Sequence, residues 1–374
     1  MIKLNILIVE DDPGIIKQWE EKIDFNNIEE GRCFDISPVY SQSLLEAKDK
    51  LDGFDFDAVA IDIRLKGDEA SPNKDGNRVF EIVNKKTLSV VAICTGEPGL
   101  VDISDDKGKA VKKFTKGGYV NIVDDVIEWL NGKQKMIASI KRMRESIREE
   151  MANVFYKSVW PRWEQWIEGS ESADIHTVDA LKRHMATHLH ATFLISGQQG
   201  VHPEEYFFIP PLHETLNTGD IIQHEGQLEI IVTPRCDMVR KKGSFSTYQL
   251  VSLHDKCVEW ADLERRFKEH KDSGNDAKKE KIKKEMVRFT NHNNESSSHF
   301  IQRFRFNIGT ELTTLGPFYA QFSMIRTLER NEKNEALLLS KRIASLSNEF
   351  IPSLVERLGT YFSRIGTPDY SHPE

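Results

Sequence analysis

Residues 1–130 alternate short apolar runs with amphipathic ones, and acidic, hydroxyl or basic residues stand where the apolar runs end. Lys3–Val9, Phe34–Tyr40, Asp57–Ile63, Leu88–Thr95 and Ala110–Thr115 read as strands. Pro13–Ile23, Leu44–Leu51, Asn77–Asn84 and Asn121–Leu130 have helical spacing, and Pro13 suits a first helical turn. This alternation predicts an α/β fold, a doubly wound five-stranded parallel sheet with helices on both faces. Sheets of that kind place their sites beyond the carboxyl ends of the strands.

Glu10, Asp11 and Asp12 follow the first strand, Asp62 lies near the end of the third, Thr95 ends the fourth and Lys116 follows the fifth. One such Asp is ordinarily a helix cap, and a lone Thr or Lys says nothing. Their conjunction, each at its own strand end, is far more specific. Carboxylates converging on one point repel unless a cation sits between them. A hard, oxygen-liganded ion such as Mg2+ fits, and a hydroxyl and an ammonium beside it complete a cradle for a phosphoryl group.

The segments ILIVEDDP (6–13), AVAIDIRL (58–65), DGNRVFEIV (75–83), VVAICTGEP (90–98) and FTKGG (114–118) resemble the receiver domain of bacterial two-component response regulators, whose fold is flavodoxin-like. The resemblance implies that Asp62 accepts a phosphoryl group from a sensor histidine kinase or phosphotransfer protein. It makes Glu10 and Asp11 the metal-binding acidic pair and the carbonyl of Arg64 a further ligand. Thr95 becomes the switch hydroxyl and Lys116 the phosphoryl-pairing ammonium. Arg64 and Glu97 would flank the path of a hydrolytic water and shield it, giving a long-lived phospho-form.

The chain departs from the family pattern in several places. A polar insertion, Lys66–Lys74, precedes Gly76, and the fourth helix is barely present in EPGLVDISDDKGK. Lys116 lacks the usual following proline, so Lys112 and Lys113 are rival counterparts. The usual output face is therefore altered, and dimerisation of the usual kind is not expected.

The domains predicted are a receiver at 1–131, a linking helix at 132–170 and an α+β region at 171–374 with long helices and a small antiparallel sheet or barrel. Lys133–Trp166 reads as one long helix, with a dimerising stripe as the alternative to core packing. Ser172–Ser196 is helical and carries His184 and His188 one turn apart, without the Glu of a zinc-protease helix. Strands follow from Phe207 to Leu253, with a hairpin turn at Glu225-Gly226. Glu259–Arg288 is a charged helical stretch broken at Ser273-Gly274-Asn275. Phe300–Phe306 reads as an aromatic strand, and Gly316–Glu329 and Asn334–Phe362 read as helices. Cys236, His254 and Cys257 have loosely metal-like chemistry but no four-ligand spacing.

Charge narrows the output. Residues 1–130 hold 17 basic and 26 acidic side chains, the remainder 34 and 33, so the C-terminal region lacks the cationic excess of a nucleic-acid effector. Four scattered cysteines, no apolar run near ~18 residues and an acidic N-terminus without signal-peptide pattern suggest a cytoplasmic protein. No P-loop, helix-turn-helix or hydrolase nucleophile turn is visible. The expected function is therefore phospho-acceptance, with a C-terminal module that binds a protein partner or tunes the receiver. An unrecognised enzymatic output and a nucleic-acid-binding regulator are the alternatives. A fainter resemblance is to receivers of bacterial defensive two-component systems, where a receiver can serve as a phosphate sink.

Overall fold

The computed structural model describes residues 2–65, 75–96, 99, 101, 110–117, 121–167, 175–196, 200–239, 247–272, 276–308 and 311–364. The chain divides into two compact units, Met1–Ser196 and Gly197–Glu374. Among the described residues, no helix is long and apolar enough to cross a membrane.

The first unit is built on strands β1 (Ile2–Val9), β2 (Phe34–Ser41), β3 (Ala58–Asp62), β4 (Val90–Thr95) and β5 (Val111–Thr115), all parallel, in the order β2-β1-β3-β4-β5. Helices α1 (Pro13–Ile28), α2 (Leu44–Gly53), α3 (Asp75–Lys86) and α4 (Ile122–Gly132) cover it. Alternate side chains separate the two faces. Leu4, Ile6 and Ile8 pack with Trp19 and Ile23 of α1 and Val126 and Leu130 of α4. Leu7, Val9, Val59 and Ile61 pack with Leu51 of α2 and Val79 and Val83 of α3. Burial on both faces explains the near-continuous apolar runs of these strands. The helix starts are encoded locally. Asp12 caps α1 by accepting from the Gly14 and Ile15 N–H groups, with Pro13 at the first position, and Ser43 caps α2.

Only Lys133 separates α4 from α5 (Gln134–Val154), which runs on through a π-helical turn (Phe155–Val159) and a 3-10 turn (Trp160–Arg162) into α6 (Trp163–Trp166). The long helix expected here is thus re-wound at its aromatic end. Its first half is fixed to the five-stranded sheet. Ile137 joins the α1–α4 core, and the Asp57 carboxylate, just before β3, takes Arg144 at 2.6 Å and Lys141 at 3.3 Å. Helix α7 (Ile175–Ser196) packs against α5.

The second unit contains β6 (Phe207–Phe208), β7 (Asp220–His224), β8 (Gln227–Ile231), α8 (Arg235–Val239), β9 (Thr247–Asp255), α9 (Cys257–Asp272), α10 (Asp276–Thr290), β10 (Ser298–Ile301), β11 (Phe304–Ile308), β12 (Glu311–Leu315), β13 (Phe318–Glu329), α11 (Glu332–Lys341), β14 (Arg342–Leu346) and α12 (Ile351–Phe362). Seven strands form an antiparallel sheet in the order β10-β13-β9-β8-β7-β14-β6, and β11 and β12 pair separately. One face packs on Leu354 and Leu358 of α12, the other on Leu338 of α11. The β7–β8 turn falls at Glu225-Gly226 with φ of 51° and 78°, the left-handed pair that a tight two-residue hairpin requires.

Two expectations are overturned. Gly316–Glu329 is not helical: β13 occupies it, and a bulge between Ala320 and Ile325 breaks the period-two alternation. The bulge leaves Phe318, Phe322 and Ile325 at spacings of four and three, which imitate a helix. Asn334–Phe362 is not one helical run either, because the short buried strand β14 lies between α11 and α12. The aromatic strand at Phe300–Phe306 is split into β10 and β11. The break at 273–275, the insertion at 66–74 and most of the fourth-helix segment lie outside the described residues.

Candidate phosphoryl-acceptor site

Because β1 and β3 are neighbours while the chain leaves them toward opposite faces, a crevice opens beyond their carboxyl ends. Glu10 follows β1 and Asp62 ends β3, so both carboxylates enter that crevice. They are 3% and 6% exposed. Lys116, the first residue after β5, bridges them: its Nζ lies 2.8 Å from Glu10 Oε2 and 2.7 Å from Asp62 Oδ2. Lys112 and Lys113 are exposed instead, and the Lys112 ammonium sits 4.8 Å from the Phe114 ring centroid. The structure thus brings Lys116, and neither rival lysine, to Asp62.

Backbone groups hold the remaining oxygens. The Asp12 N–H donates to Glu10 Oε1 at 3.1 Å, and the Arg64 N–H donates to Asp62 Oδ1 at 3.2 Å. The Lys116 N–H donates to the Thr95 carbonyl at 2.8 Å, which ties the end of β5 to β4. Thr95 is buried at that strand end, and the Arg64 side chain is exposed. Glu97, its expected shielding partner, lies outside the described residues. Gly76 opens α3 against this loop: a Cβ there would stand 2.5 Å from the Asp62 carbonyl oxygen and the Ile63 Cα.

Desolvation raises the Glu10 pKa above the usual carboxylate range, although the Lys116 hydrogen bond opposes it. Burial alone would lower the Lys116 ammonium, but hydrogen bonds to Asp62 and Glu10 outweigh it and hold its pKa above that of an ordinary lysine. Burial pushes the neighbouring Cys94 thiol up to about 12, so it stays neutral beside the charged cluster.

Glu10, Asp11 and Asp62 each offer an oxygen, and these lie within 4.8 Å of one another. The donor set is all oxygen, which suits a hard divalent cation. Among the described residues this is the group of three or more ligand-type side chains with metal-like spacing. Cys236, His254 and Cys257 do not form one. Cys236 contacts Asp237, and His254 Nε2 contacts Met324 Sδ at 2.9 Å. His184 and His188 meet edge to face at 4.4 Å between ring centroids, and the Trp166 ring is tilted against His184 at 5.1 Å. Sequence reasoning passed over Asp57, whose cationic partners lie more than 80 residues away along the chain.

No family model and no curated protein matches the chain. Solved structures do resemble it. A receiver domain of the Erythrobacter litoralis PhyR response regulator is 21% identical with a TM-score of 0.27, over 35% of this chain and 90% of that one. A CheY-like response regulator receiver protein from Methanospirillum hungatei is 17% identical with a TM-score of 0.25, over 37% and 98%. A Francisella response regulator receiver domain is 16% identical with a TM-score of 0.25, over 38% and 99%. At these scores the carboxylate–lysine geometry, and not the likeness, has to carry a functional assignment. These three solved structures are receiver domains of response regulators, and each covers between 35% and 38% of this chain.

Proposed function

We propose that the protein is a response-regulator-like phospho-acceptor of a two-component system. Asp62 takes the phosphoryl group from a phosphohistidine on a sensor histidine kinase or phosphotransfer protein in the cytoplasm. The observation that carries this reading is the Lys116 bridge between Asp62 and Glu10 at the carboxyl edge of a doubly wound sheet, with Asp11 beside it. An Asp62 oxygen attacks phosphorus in line, and the new oxygen–phosphorus bond forms as the bond to the donor nitrogen breaks. The Arg64 N–H and Lys116 orient the carboxylate before attack. Lys116 then neutralises charge on the transferred oxygens, and Thr95 supplies a hydroxyl to one of them. Glu10, Asp11, Asp62 and the Arg64 carbonyl would hold Mg2+, which when bound adds positive charge beside the phosphoryl oxygens. The C-terminal unit is assigned a partner-binding or regulatory role, and the Asp62-bearing domain that of a phosphate sink in antiphage defence. Incubation with acetyl phosphate and Mg2+ should give acid-labile labelling of the wild type and none of Asp62→Asn. Normal labelling of that variant would remove Asp62 as the acceptor.

A further inference from the structure

The exposed apolar surface of this protein is concentrated on one element pair. Among the described residues, nine of the exposed large apolar side chains fall between 143 and 195, on α5, α7 and the turns between them. Met143 is 47% exposed, Met151 44%, Trp160 57%, Val178 38%, Phe193 37% and Leu194 46%. None of residues 175–195 is fully buried, although α7 runs for six turns and packs against α5. Two helices about 30 Å long cannot enclose a core between themselves, so each keeps an uncovered stripe. Soluble chains rarely leave so concentrated an apolar surface open.

The charges on these helices narrow the occupant. The exposed residues Lys135, Arg142, Lys182 and Arg183 are interspersed with exposed Glu145 and Glu149. A strongly acidic or basic partner would meet like charges there, whereas a surface carrying both signs can pair with itself across a two-fold axis. The cations at 141, 144 and 148 are turned to Asp57 and Asp55, just before β3, so the receiver-like fold anchors one flank of α5 and leaves the other open. Nine such side chains, at roughly 60–100 Å² each, approach the ~800 Å² per partner of a standard interface.

We propose that the α5–α7 pair is a homodimerisation surface, on which two copies of this chain close into a four-helix bundle. This surface lies apart from the Asp62 crevice and does not depend on phospho-acceptance. Sedimentation velocity of the full chain, from 1 to 50 µM (probe concentrations on the order of those a standard interface needs), reads it directly. The expected mass is twice 43.0 kDa. Met151→Glu with Phe193→Glu, both at exposed positions, should weaken the dimer at least tenfold while the circular dichroism spectrum is retained. Lys112→Glu with Lys113→Glu, on the exposed edge of β5, should leave it intact. A wild type that stays monomeric throughout, or a dimer that survives Met151→Glu with Phe193→Glu, overturns the proposal.

Discussion

Lys116 spans two of the three carboxylates gathered in the crevice, and that arrangement sets the chemistry there. Its ammonium reaches Glu10 and Asp62 within 2.8 Å, while Asp11 shares their oxygen cluster. Replacing Asp11 with Ala removes one oxygen donor without disturbing the Lys116 bridge. Mg2+ affinity should then fall at least tenfold, about 1.4 kcal/mol. A Mg2+ titration of the phosphorylation rate checks this, and unchanged midpoints would contradict the ligand set. Strand-end positions made these residues legible in the sequence, because an acid, a hydroxyl and a lysine at successive strand ends have few other uses. The choice among Lys112, Lys113 and Lys116 was not legible. It depends on where β5 stops pairing with β4, at Thr95 and Thr115, which is a property of register and not of local composition.

Elements were legible where burial repeats with a simple period. β1, β3 and β4 are enclosed on both faces and read as apolar runs, and α1 announces itself with Asp12 and Pro13. β13 was misread because its bulge replaces period two with helix-like spacing, and β14 is too short to show any period. The tie between α5 and the sheet was invisible, since it joins residues remote in sequence. Its energetics are testable. Arg144→Ala leaves the Asp57 carboxylate, 1% exposed, with Lys141 as its cation and the Asn5 N–H as a hydrogen-bond donor. Breaking a buried ion pair from one side costs roughly 3 kcal/mol. Arg148→Ala removes only a solvent-facing partner of Asp55 and should cost under about 1 kcal/mol. Chemical denaturation of both variants checks the contrast, and equal stabilities would show that α5 is not held through Asp57.

Acid should weaken the C-terminal unit through two of its histidines. Burial holds His299 down to about 3, with His292 and Arg357 opposing its charge further, and burial holds His292 to about 4. Unfolded, these imidazoles take up protons near pH 6.5. Between those values the unfolded chain binds more protons, so stability rises with pH and is fully present above about 6.5. Lowering the pH from 6.5 to 5 should cost on the order of 2 kcal/mol through the buried His299, and less through the half-buried His292, whose charge solvent screens. Denaturant midpoints of the wild type and of His299→Gln measure this, and identical pH slopes would rule it out.

The same unit should bind duplex DNA poorly. Residues 197–374 carry 24 basic and 25 acidic side chains, which offers no broad field for counterion release. Micromolar or tighter binding with a steep salt slope would restore a nucleic-acid output. The role of the crevice rests on where the phosphoryl group goes. Peptide mass spectrometry of the wild-type chain after acetyl phosphate and Mg2+ treatment locates it. The expected result is a single phosphoryl increment on Asp62, absent when a chelator removes the metal. An increment on another residue, or one on Asp62 that forms equally well with chelator, would contradict the assignment.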